Sequence, residues 1–92
     1  MKMKIIFDGA PATFAMGLQS GRLRHYVRDR FEGDKDTKAG AILHNGKIIA
    51  KFSGVGVDNF VTHAQDALDC ITQLGLISCL YEDKIDVYME EE

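Results

Sequence analysis

AGAILHNGKIIAKF, residues 39 to 52, sets two strand-like runs, AILH and KIIAKF, on either side of Asn45-Gly46. An Asn-Gly pair tolerates the positive φ angles that a type I′ turn needs at both central positions, and the turn's twist matches that of the flanking strands. The stretch therefore predicts an antiparallel hairpin over 39–52 turning at Asn45-Gly46.

Downstream, Ser53-Gly54-Val55-Gly56-Val57 leads to Asp58, a residue type suited to a helix N-cap. Phe60, Val61, Ala64, Ala67, Leu68, Ile71 and Leu74 then follow the i, i+3, i+4, i+7 spacing of one helix face until Gly75 supplies a stop. This spacing predicts an amphipathic helix over 58–74. Leu76–Leu80 and Lys84–Met89 are both strand-like, and in the second Ile85, Val87 and Met89 alternate with Asp86, Tyr88 and Glu90.

Upstream, Lys2–Phe7 reads as a strand stopped by the turn pair Asp8-Gly9, with Pro11 in the turn. Thr13 is placed to cap a helix, and Phe14, Leu18, Leu23, Val27 and Phe31 recur at helical intervals with one slip near Gly21. That slip predicts either one helix broken at Gly21 or a short turn followed by a helix from Ser20, ended by Glu32-Gly33-Asp34. The order β-α-β-β-α-β(-β) belongs to the α+β class. It favours a ferredoxin-like split βαβ sandwich, with two helices on one face of an antiparallel sheet.

Ninety-two residues, 46% apolar and 27% charged, are expected to form a single α+β domain over 1–92 with a small core, which a homodimer would supplement. No run of about 18 apolar residues is present, so no membrane span is expected. The N-terminus carries no leader-like apolar stretch, and two cysteines, Cys70 and Cys79, make no disulfide framework; a reducing cytoplasm is the expected location.

Charge is polarised along the chain. Residues 1–53 hold ten Lys/Arg against five Asp/Glu, and residues 54–92 hold one lysine against nine acids, which leaves the net charge of −3. Arg22, Arg24, Arg28 and Arg30 fall within nine residues, and helical spacing puts Arg24 and Arg28 in a ridge beside the apolar stripe. Like charges at i, i+4 do not stabilise a helix, whereas arginine's planar fork suits carboxylates and phosphates. These four arginines are the candidate partner-binding residues, opposed by a plain solvated face in which Asp29, Glu32, Asp34 and Asp36 balance them. A protein partner is favoured over nucleic acid, because the chain as a whole is acidic and a base-stacking sheet would need more aromatic residues on its central strands.

Catalytic and cofactor signals are weak. Ser53–Phe60, SGVGVDNF, lacks the third glycine of a dinucleotide loop, and Asp58 would occupy the helix end that a pyrophosphate requires. His63 and Cys70 could supply two metal ligands, short of the four of a zinc site. No serine sits in a nucleophile elbow. No catalytic residue, metal or cofactor is therefore expected.

IIFDGA followed by AGAILHNGKIIAKFSG, a helix and KIDVYMEE resembles the opening half of a ribonuclease H-like domain. The resemblance implies a truncated ribonuclease H-like layout as the alternative fold and a degenerate metal-dependent nuclease as an alternative function. Asp8 and Glu90 would then be the strand carboxylates, and Asp66 is the acid nearest the position of the helix glutamate. The favoured expectation is a non-enzymatic protein that regulates or inhibits a larger macromolecule through charged surfaces, of the kind viruses and mobile elements encode as accessory proteins. A small-ligand-sensing module is the third reading.

Overall fold

The computed structural model describes residues 2–31, 36–78 and 80–91, and of Lys2 and Glu91 the backbone alone. The chain runs β1 (Lys2–Gly9), α1 (Pro11–Ser20), α2 (Arg22–Arg28), β2 (Thr37–His44), β3 (Lys47–Val55), α3 (Gly56–Gln73) and β4 (Ile85–Glu91). The result is an α+β domain, a four-stranded antiparallel sheet with the helices packed on one face.

The hairpin forms as its sequence requires. β2 and β3 pair from His44↔Lys47 to Thr37↔Val55, and Asn45 and Gly46 take φ of 54° and 78°, the positive angles of the tight turn. It is longer than 39–52 and contains a bulge: Ile42 faces Ala50 while Leu43 faces Ile48, so Ile49 is the extra residue.

Strand order is β1-β4-β2-β3. β1 and β2, joined through α1 and α2, are separated by β4, so a split βαβ is present. The ferredoxin-like arrangement, however, puts the first strand inside the sheet, and here β1 and β3 form the edges. The ribonuclease H-like layout is also absent: it would pair β1 with β2, and here β1 pairs with β4 alone, antiparallel from Lys2↔Glu91 to Gly9↔Ile85.

Several local expectations are corrected. α1 starts at Pro11 with Ala10 as N-cap, so Thr13 lies inside the helix; proline's fixed φ suits the first helical position. Gly21, at φ 79°, breaks the helix into α1 and α2. α3 begins at Gly56 directly out of β3 with Val55 as N-cap, which leaves Asp58 in the first turn without a capping hydrogen bond. The described residues of the expected Leu76–Leu80 strand, 76–78 and 80, are not in a strand. Their backbone turns to nearby side chains instead of a ladder: the Ser78 amide donates to Asp83 Oδ2 at 2.6 Å and the Leu80 amide to Ser78 Oγ at 3.2 Å, while Ile77 plugs the core. Cys79, and the Glu32-Gly33-Asp34 stop, lie outside the described residues.

One core joins the layers. Ile85, Val87 and Met89 of β4 and Ile42 of β2 form its floor, and Phe14, Leu23, Val27, Phe60, Ala64 and Leu68 descend from the helices. Phe52 and Phe60 pack with ring centroids 5.0 Å apart, and Phe7 and Phe14 likewise at 5.0 Å, so an aromatic pair ties each edge strand to a helix. Gly54 lets α3 rest on β3: a Cβ there would stand 2.5 Å from the Phe60 amide nitrogen.

Candidate partner-binding surface

α2 is held by Leu23 and Val27, both buried, and this anchoring fixes where its arginines point. They do not form one cluster. Arg24 turns toward α3, with Nε 3.0 Å from Asp58 Oδ1 and its guanidinium partly covered. The Nε is buried and lacks hydrogen-bond alignment, so charge attraction holds the pair. Arg28, exposed, borders the same junction, a shallow cleft between Phe31, Val57 and Asp58. The expected Arg24–Arg28 ridge is thus half neutralised by the acidic end of α3.

Arg22 and Arg30 lie on the other side, flanking Tyr26. Arg30, just past α2, stacks its guanidinium 3.6 Å from the Tyr26 ring centroid and donates from Nη1 to the Tyr26 carbonyl at 3.2 Å. Arg22 stands at the rim of a groove of about 470 Å³ that Phe7, Met16, Leu23 and Tyr26 line between β1 and the α1–α2 pair. Met16, 58% exposed, and Tyr26, 39% exposed, open this groove to solvent, and the Tyr81 hydroxyl reaches Met16 Sδ at 3.6 Å. Among the described residues no acid lines it. The sequence signal for Tyr26 is its four-residue spacing from both Arg22 and Arg30, and for Met16 only its place off the buried stripe.

The carboxylates that the nuclease resemblance would bring together stay apart. Asp8 faces Asp86 in the β1–β4 register, whereas Glu90 faces Met3, four residues or about 14 Å along the strand. Asp66 is exposed on α3, in the layer on the opposite side of the sheet. Lys84 Nζ lies 3.0 Å from Asp8 Oδ1, and this hydrogen bond, reinforced by the carboxylate's charge, raises the Lys84 pKa. Among the described residues no group of three or more potential ligands could hold a metal ion. His63 Nδ1 approaches Asp66 Oδ2 at 4.0 Å, and His63 and exposed Cys70 border a groove between α3 and β3.

Among the described residues no helix is long and apolar enough to cross a membrane. Comparison with protein-family models, curated proteins and solved structures finds no match.

Proposed function

We propose that this chain is a non-enzymatic cytoplasmic binding protein that regulates or inhibits a larger protein by docking through the Arg22–Tyr26–Arg30 face. The supporting observation is the groove between β1 and α1–α2: an apolar floor, an arginine at its rim and a second arginine stacked on its tyrosine wall. Such a surface suits an acidic segment that inserts one apolar side chain. The carboxylates would meet planar guanidinium forks, and the anchor would be desolvated against Met16 and Leu23. Stacking on Tyr26 pre-orders Arg30, which lowers the entropy lost when it engages.

The test begins with affinity capture from the native host and identification of the partner by mass spectrometry, followed by titration with purified components. Arg22→Glu with Arg30→Glu should lower affinity more than tenfold and flatten its salt dependence, while Arg24→Glu with Arg28→Glu should have the smaller effect. Unchanged affinity and salt dependence in a natively folded Arg22→Glu/Arg30→Glu protein would reject this face as the interface.

A further inference from the structure

The helices cover one side of the sheet; among the described residues no helix covers the other. On that second side the register places Ile5, Tyr88, Ala41 and Lys51 in one row across β1, β4, β2 and β3. Ile5, Met3 and Ile48 are each roughly half exposed there, more apolar area than one isolated side chain would present. The two alanines of β2, Ala39 and Ala41, leave a concavity of about 500 Å³ walled by Met3, Glu90, Ile48 and Lys51.

We propose that a second copy of this chain covers this face, sheet against sheet, about a twofold axis parallel to the strands between β4 and β2. Charge selects the axis. Asp8, Asp86 and Glu90 lie on the β1–β4 half, where Lys84 pairs with Asp8 and leaves Asp86 and Glu90 as its excess acids, whereas on the β2–β3 half the described residues of this face include Lys51 and no acid. A twofold parallel to the strands lays the acidic half of each copy over the basic half of the other. An axis across the strands would lay acid on acid. Shape agrees with charge: the same operation carries Tyr88 of each copy over the alanine concavity of the other, a large ring into a hole made by small residues.

Area sets the strength. Four strands about 4.8 Å apart and about seven residues long at about 3.4 Å each give a face of roughly 450 Å². Two such faces come to roughly 900 Å², below the roughly 1,200–2,000 Å² buried in stable interfaces and in the range of weak, transient ones. The dimer is therefore a micromolar, concentration-dependent one. It leaves the arginine groove open on the helix layer, so it stands or falls independently of the proposed partner.

Sedimentation equilibrium of the intact chain tests it. The mass should rise from 10.2 kDa toward twice that value as concentration increases through the micromolar range. Lys51→Glu, at an exposed edge-strand position, should retain the native circular dichroism spectrum and weaken the dimer at least tenfold, and Tyr88→Ala should do the same. A chain that stays at 10.2 kDa throughout overturns the proposal, as does a dimer that neither substitution weakens.

Discussion

Asp58 holds Arg24 3.0 Å from its carboxylate, joining the first turn of α3 to α2 and dividing the arginine segment into a neutralised side and an open one. Both side chains are substantially exposed, so water and salt screen the attraction. Asp58→Ala should cost under about 1 kcal/mol in urea unfolding. It should also leave Arg24 as an additional site for acidic ligands.

Leu23→Ala separates core from surface in the same helix. Leu23 is 7% exposed and packs in the shared core, so its truncation should lower stability by about 2–4 kcal/mol through a cavity. The arginines stay in place on the fraction that remains folded. Chemical denaturation checks the first effect, and partner affinity under strongly folding conditions checks the second.

Gly54→Ala is a sharper test of how β3 and α3 meet. The new Cβ would meet backbone atoms of Asn59 and Phe60 at 2.5–2.6 Å, which no rotamer change can relieve. α3 must lift off the strand and strain the Phe52–Phe60 pair. A loss of about 1–3 kcal/mol, the usual range for overpacking, is expected. A melting temperature equal to that of the wild type would refute the close approach.

The hairpin was legible because one dipeptide needs positive φ at two successive residues and few sequences provide it. The α3 face was legible through its 3.6-residue period. Strand order was not, because alternation reports which side of a strand is buried and says nothing of which strand lies beside it; β4's Ile85, Val87 and Met89 would alternate equally well at an edge. Leu76–Leu80 misled for a related reason: its apolar residues pack singly, as Ile77 does, or stay exposed, as Leu76 and Leu80 do, while Asp83 and Ser78 take over the backbone hydrogen bonds. The division of the arginines depends on where α3 begins, which no pattern within residues 22–30 encodes.

The Lys84–Asp8 pair gives a pH signature. Because the folded chain raises the Lys84 pKa, the pair's contribution is fully present below the ordinary lysine value of about 10.4 and is lost as pH rises through the raised value. Wild type and Lys84→Met should therefore differ slightly in stability at neutral pH and converge in strongly alkaline solution. Thermal melts across that range provide the check; a gap that widens above pH 10.4 would give the shift the opposite sign.

The spread of Asp8, Asp66 and Glu90 predicts no cleavage of DNA, RNA or their hybrid with magnesium or manganese, since two-metal hydrolysis needs carboxylates converging within a few ångströms. Cleavage abolished by Asp8→Asn would contradict both this expectation and the binding role.

β4 lies between β1 and β2, so synthesis order and assembly order are opposed. While a ribosome has released residues only as far as α3, β1 lacks its neighbour and the hairpin lacks its inner flank. Ile85, Val87 and Met89, the floor on which the helices sit, are still missing. The nascent polypeptide can hold a hairpin and helical turns but cannot close its core. Closure of the core waits for Ile85–Glu91 to enter between strands made nearly fifty and about eighty residues earlier. A chain ending before Ile85 would lack an inner strand and the floor of its core.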